Sequence, residues 1–421
     1  MARFPKIAID GGAELSACAG RRDDVFPLAE TAARVARWWI FGAAVVFLLD
    51  LARQTHEGWT NGSGRPLGDD FINYWSGAFL AMHGRVGEVY DWMAFHRFQE
   101  SMIGGSLDFY HYSYPPLLLL LSAPFALMPY GPALAAWLIS SFYAFYRALR
   151  LALPQRALLL ALATPALFVN AIAGQNGAFT AALFGGGLCL LDCRPLLAGA
   201  LFGLLAYKPQ MGVLLPIALV AGGHWRALAA ATMMVAVLVV LSVAAFGIDI
   251  WSDYARNVGL LRQTILEDGT GVWHRMVSVF VAARRLGANV TLAYAIQLGA
   301  ALIAAGVIAV AWFRGMPKPM RNGLLILGTC LATPYLQDYD LVIGAFVAAW
   351  LMSATVGPPG RATIVAAALL LIGPLASVAF ARLSGVAFGP LFILPGFVIA
   401  ASGLMQPRSQ DAPTAGERLH A

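Results

Sequence analysis

Apolar residues arrive along this chain in blocks, and short polar breaks separate them. The strongest blocks are 115–129, 131–149, 157–172, 177–192, 196–207, 211–221, 227–247, 289–313, 323–335, 340–354, 362–382 and 386–405. An earlier block, Trp38–Leu51, is bounded by Trp38 and Trp39, which suit a membrane interface. A helix needs roughly 20 apolar residues to cross the hydrocarbon, so the longer blocks predict spans. Blocks 196–207 and 211–221 are too short to cross alone. They predict a re-entrant pair with its tip at Lys208-Pro209-Gln210. Block 115–129 is a second candidate for re-entry. Irregular backbone at that depth is stable only where protein or a cavity surrounds it. The pattern predicts an all-α polytopic membrane protein, a helical bundle of roughly 10–12 membrane segments, some short or re-entrant.

Two stretches break the apolar rule. Residues 53–112 mix acids, histidines and aromatics, and 70–82 and 91–103 within them read as amphipathic helices. Such helices rest in the membrane interface. Residues 248–288 are the second polar stretch, and Gly269-Thr270-Gly271-Val272-Trp273-His274 within them reads either as an active-site lid or as a plain solvated loop.

Composition supports the membrane assignment. The chain is 59% hydrophobic and 12% charged, with mean hydropathy +0.70, where a soluble domain carries about 25% charged residues. The net charge of +6 is scattered between apolar blocks, so it does not mark a nucleic-acid partner. It marks loop anchors instead: Arg147, Arg150 and Arg156 at one break, then Arg194, Arg226, Arg314 with Lys318 and Arg321, Arg361 and Arg408. The positive-inside rule places these breaks in the cytoplasm. It also places tails 1–34 and 406–421 there, around one membrane domain over 35–405. Loops 53–112 and 248–288 are then outside. The expected location is the plasma (inner) membrane, multi-pass. Residues 1–34 are polar and of mixed charge, unlike a cleavable signal peptide. The four cysteines show no metal-ligand spacing.

With this topology the outer hairpin tips are Gly174-Gln175-Asn176-Gly177, Lys208-Pro209-Gln210, the 248–288 loop, Leu336-Gln337-Asp338-Tyr339-Asp340 and the break near Arg382. The first four are polar in a chain that is otherwise poor in polarity. All would face the same side as the adjacent pair Asp69-Asp70, just beyond the first span.

Acids at a membrane surface suit transfer of a sugar from a lipid phosphate to a hydroxyl. The leaving group is already a phosphate ester, so it needs electrostatic help more than protonation. The hydroxyl needs a general base. One carboxylate suffices for inversion, whereas retention asks for a second, close one. Asp70 or Asp69 offers the base. Lys208, His274 and Arg275 offer cations for the donor phosphate. Tyr74, Tyr114, Gln175, Asn176, Gln210, Asp338 and Asp340 offer contacts to substrate. Each has a plainer alternative: paired aspartates also cap helices, and Lys208 could snorkel to the interface.

The order of motifs resembles glycosyltransferase family 87, the polyprenol-phosphate-mannose-dependent mannosyltransferases of the GT-C superfamily. The matching pieces are Asp70-Phe71-Ile72-Asn73-Tyr74, Tyr114-Pro115-Pro116, Gly174-Gln175-Asn176, Lys208-Pro209-Gln210 and Thr333-Pro334-Tyr335-Leu336-Gln337-Asp338-Tyr339-Asp340-Leu341. The resemblance implies a GT-C-type bundle and an inverting hexosyltransferase using a polyprenyl-phosphate donor on the outer face. It implies a glycolipid or glycan acceptor, with Asp70 as general base and Asp69 as an extra acid. Mannose is the hexose it suggests, although no residue here reads out the sugar. No cofactor and no metal are expected. The competing class is a transporter or flippase, which also builds sites from half-helices with polar tips. Against it, no inverted repeat is visible and charge concentrates in outer loops, not spans. An assembly protein without activity is a third class.

Overall fold

The computed structural model describes residues 30–56, 58–60, 62–354 and 358–405. The C-terminal tail and residues 1–29 of the expected N-terminal tail lie outside the described residues. Among those described, the chain is helical, with two isolated β-bridges, Thr60–Pro66 and Met276–Gln337, and no strand.

Among the described residues, four helices are long and apolar enough to cross a membrane: Ala32–Gln54, Trp225–Phe246, Val290–Phe313 and Arg361–Ser384. The first of them is part of the helix Glu30–Gln54. That helix starts inside the expected tail, with Glu30 in its first turn, where the helix dipole favours an acid. Its side chains Val35, Trp38, Phe41, Leu48 and Leu49 face outward, as lipid-facing apolar groups do.

The pair Leu117–Ala126 and Tyr130–Ala152 turns by 118° at Pro129. Shorter apolar helices fill the bundle, among them Gly177–Leu190, Pro195–Tyr207, Pro209–Ala221 and Gly389–Met405. Gly177–Leu190 is buried on nearly every face and forms the axis of the main core with Lys318–Ala332 and Gly344–Ser353.

The expected short pair does form a hairpin, and register shows it. Gly199 abuts Ala227 and Ala230, and Gly203 abuts Ala231 and Met234. Pro195–Leu204 therefore runs parallel to the start of Trp225–Phe246. The segment between them must reverse before Trp225. Two short 3-10 turns, Leu205–Tyr207 and Pro209–Gly212, make the reversal, with Lys208 between them. The proline at 209 has no N–H to continue the helix.

The first polar stretch folds into two short helices, Phe71–Met82 and Trp92–Ile103. Asp91 caps the second, accepting the N–H groups of Met93 (3.1 Å) and Ala94 (2.9 Å), and Gly104 ends it with φ +83°. Trp92–Ile103 turns Met93, Arg97, Ser101 and Met102 outward. Phe71–Met82 is buried from Phe71 to Ala78. It sits in an aromatic cluster, with Tyr74 stacked on Trp137 at 5.0 Å and Phe71 against Tyr130 at 5.6 Å. The second polar stretch is pinned at its glycine-rich segment. Trp273 lies over Gly269, donates to the carbonyls of Ile265 and Leu266 at 3.1 Å, and is flanked by the guanidiniums of Arg284 and Arg285.

Candidate active site

Three close backbone approaches bring four separate loops together. Gly174, at φ +56°, lies against the carbonyl of Gly68. Gly177 lies against the carbonyl of Tyr339. A side chain at either position would collide with backbone, and Gly174 also has a left-handed conformation that β-carbons disfavour. Val277 donates to the carbonyl of Leu336 at 2.9 Å, beside the Met276–Gln337 bridge. The loops at 68–70, 174–177, 273–277 and 335–340 thus meet at one place, and the tip at Lys208 joins them from below.

The two adjacent aspartates part at this place because Asp69 takes φ +45°. Aspartate tolerates the left-handed region better than most residues. Asp69 turns toward Tyr110, whose hydroxyl donates to Oδ1 at 2.6 Å, and toward Arg65, whose Nε is 3.5 Å from Oδ2. Arg65 also reaches Asp50 at the end of the first span. Asp70 caps Phe71–Met82 by position but makes no side-chain cap bond. Its Oδ2 accepts from Gln175 Nε2. Its Oδ1 has one long contact, 3.5 Å from Asn73 Nδ2.

Arg275 stands across from both. Its Nε and Nη2 each lie 3.3 Å from the oxygens of Asp338. Its Nη1 lies 3.9 Å from Asp70 Oδ2 and 4.0 Å from Asp69 Oδ2, within ion-pair range but beyond a hydrogen bond. Burial and the Asp69 carboxylate push Asp70 up to about 7, against the pull of Arg275. Its side chain still keeps 28% exposure. A carboxyl that exchanges its proton near neutrality and can be reached from outside has the properties of a general base.

A drier region lies beneath. Lys208 pairs with Asp340, and each side chain is 1% exposed. Lys208 Nζ also donates to Asn176 Oδ1 at 3.1 Å and to the Tyr339 hydroxyl at 3.4 Å. Asp340 Oδ2 accepts the N–H of Gln337 at 3.0 Å. Asn176 Nδ2 donates to the Tyr74 hydroxyl at 3.2 Å, and Tyr74 donates to Gln175 Oε1 at 2.6 Å. Tyr114 lies 3.1 Å from the Tyr74 hydroxyl.

Asp69, Asp70, Tyr74, Tyr114, Gln175, Asn176, Lys208, Arg275, Asp338 and Asp340 therefore lie in one connected polar network. Two of the expected residues lie outside it. Gln210 is half-buried in the turn after Lys208 and makes no hydrogen bond to the network. His274 meets Arg382, Nε2 to Nη2, at 3.3 Å. Burial and the guanidiniums of Arg382 and Arg275 hold His274 below the usual imidazole range. The carboxylate partners of Lys208 and Arg275 also went unread. Tyr110 and Arg65 were not anticipated. The signal for Tyr110 is the period-two run Tyr110, Tyr112, Tyr114, which in an extended segment puts three phenols on one side.

A comparison with protein-family models matches residues 112–334 to glycosyltransferase family 87. No curated protein and no solved structure matches the chain. The match covers more than half of the chain, although Asp69, Asp70, Asp338 and Asp340 fall outside the matched residues. With its set of apolar, membrane-capable helices, the chain belongs to glycosyltransferase family 87 and is a membrane glycosyltransferase.

Proposed function

We propose that this protein transfers a hexose, mannose foremost, from a polyprenyl-phosphate donor to a hydroxyl of a glycolipid or glycan. The reaction inverts the sugar and runs on the extracytoplasmic side of the plasma membrane. Asp70 is the general base. The observation that carries this reading is the division of labour between the two aspartates. Both oxygens of Asp69 face cations or a phenol, whereas Asp70 keeps Oδ1 with a single long contact.

In the step itself, the acceptor oxygen attacks the anomeric carbon and gives its proton to Asp70 Oδ1. The bond from that carbon to the donor phosphate breaks, and its electron pair leaves with the phosphate. Arg275 Nη1 faces that leaving phosphate, since its other donors are engaged by Asp338. The polar tips lie on one side of the bundle, and the loops that carry them are those expected outside.

Asp70→Asn keeps the shape and removes the base, so turnover should fall by about 10²–10⁴-fold while donor binding is retained. The assay uses purified protein with a panel of polyprenyl-phosphate hexoses, with anomeric configuration read by NMR. Full activity in Asp70→Asn, or a retained configuration, would overturn the reading. The sidedness has its own check. In right-side-out vesicles, an impermeant thiol reagent should label Leu286→Cys directly and Arg361→Cys only after lysis.

A further inference from the structure

Lys208 is the most deeply buried cation in the site, yet its charge is already matched by Asp340. We infer that Lys208 is a positioning residue for the base: it starts a one-way chain of hydrogen bonds through Asn176, Tyr74 and Gln175 that ends on Asp70 Oδ2 and leaves Oδ1 for the acceptor hydroxyl. The inference rests on Asp70 being the base.

The direction of the chain follows from what its two ends can do. An ammonium only donates, and an ionised carboxylate only accepts. Asn176 must therefore turn its oxygen to Lys208, which leaves its Nδ2 for the Tyr74 oxygen. Tyr74 has one hydrogen, and it goes to Gln175 Oε1. The amide of Gln175 is then fixed with Nε2 toward Asp70. Tyr74, Asn176, Gln175 and Lys208 are each no more than 2% exposed. In such a dry place hydrogen bonds polarise one another, and an amide cannot flip without orphaning its neighbours. Asp340 supplies the counter-charge to Lys208. The chain thus holds one oxygen of Asp70 and sets the orientation of the other.

The test breaks the chain at its middle. Tyr74→Phe keeps the ring on Trp137 and leaves the Lys208–Asp340 pair intact. It removes the hydrogen that fixes Gln175. The other titratable or charged groups facing Asp70 are Asp69, Arg275, Asp338, Tyr110, Tyr130 and Tyr335, and all of them remain. With polyprenyl-phosphate mannose as probe, kcat should fall by about 10–100-fold, the scale of a misplaced catalytic group. The KM for the donor should stay within about twofold, and the acid limb of the pH profile should move upward, since a donor to the ionised form is lost.

A second variant, Lys208→Met with Asp340→Leu, removes the ammonium and its partner together and should reproduce the kcat loss with an unchanged donor KM. Thermal melting in detergent reports whether each variant is folded. A folded Tyr74→Phe with wild-type kcat and pH profile overturns the inference. So does a double variant whose loss lies in the donor KM, because Lys208 would then bind the phosphate. Asp70→Asn in the same assay separates the two readings. If it is active, the base is elsewhere; if it is inactive while Tyr74→Phe is normal, only the chain fails.

Discussion

Two ion-pair systems sit a few residues apart in this protein, and they are built differently. The lower one, Lys208 with Asp340, is 1% exposed on both sides, and the ammonium also donates to Asn176 and to the Tyr339 hydroxyl. The upper one sets Arg275 among Asp69, Asp70 and Asp338, with 18% exposure at the guanidinium and 28% at Asp70. In the lower system the groups answer one another completely. In the upper one, Arg275 holds Asp338 at 3.3 Å, but its Nη1 stands 3.9–4.0 Å from Asp70 and Asp69, beyond hydrogen-bond reach, and Asp70 Oδ1 has one long contact. Substrate chemistry needs uncommitted donors and acceptors, which is why the proposed reaction is set in the upper system and the lower one is read as its frame.

The largest effect should come from breaking the closed pair. Asp340→Ala leaves Lys208 buried without its counter-charge, and removing one partner of a buried pair costs about 3–5 kcal/mol. Its melting midpoint should drop well below that of the wild type. The apolar double replacement Lys208→Met with Asp340→Leu should recover most of the loss, since swapping both partners is often neutral. If Asp340→Ala melts with the wild type, water reaches the lower pair and the contrast between the two systems disappears.

The next effect lies at the mouth and should appear in binding as well as in folding, because Arg275 is also the counter-charge of Asp338, whose side chain is 3% exposed. Arg275→Gln removes the guanidinium donors proposed to meet the donor phosphate. A hydrogen bond to a charged group is worth about 1.5–3 kcal/mol, so donor affinity should weaken by roughly 10–150-fold. Titration of the donor against the variant measures this. An unchanged affinity would move the phosphate site away from Arg275, and Arg382 would be the next cation to examine.

The contrast also shows what the chain made legible. The apolar blocks and their breaks anticipated many of the helices and the reversal at Lys208, and amphipathic spacing within the first polar stretch anticipated Phe71–Met82 and Trp92–Ile103, because length, apolarity and period are local properties. They also anticipated which tips carry the polar network, since polarity is conspicuous in a bundle this apolar. Partner choice was not local. Lys208 finds Asp340 132 residues away, and no period in the sequence links them. Side-chain direction escaped as well. His274 and Arg275 are adjacent in one 3-10 turn, yet one meets Arg382 and the other Asp338. Phe71–Met82 shows the same limit: its aromatic residues read as an interface face, but Tyr130 and Trp137 from a distant helix enclose them.

The smallest effect should belong to Asp69, and it concerns pH more than rate. As the proposed base, Asp70 must be ionised to take a proton. With its carboxyl pushed up to about 7, the proposed base would lose effect as pH falls below that value. In the wild type, kcat/KM should rise with pH through about 7 and level off above it. Asp69 raises Asp70 by charge repulsion, second only to burial. Asp69→Asn removes that charge, while an asparagine oxygen can still accept from Tyr110 at the same place. Part-exposed ion pairs of this kind are worth at most about 1 kcal/mol, so turnover above pH 8 should stay within about fivefold of wild type. The acid limb should shift to lower pH, because the ionised form of Asp70 has become easier to reach. A pH series of kcat/KM on both proteins measures the shift. If Asp69→Asn instead abolishes turnover at every pH, Asp69 is the base, and the weakly held oxygen of Asp70 has another use.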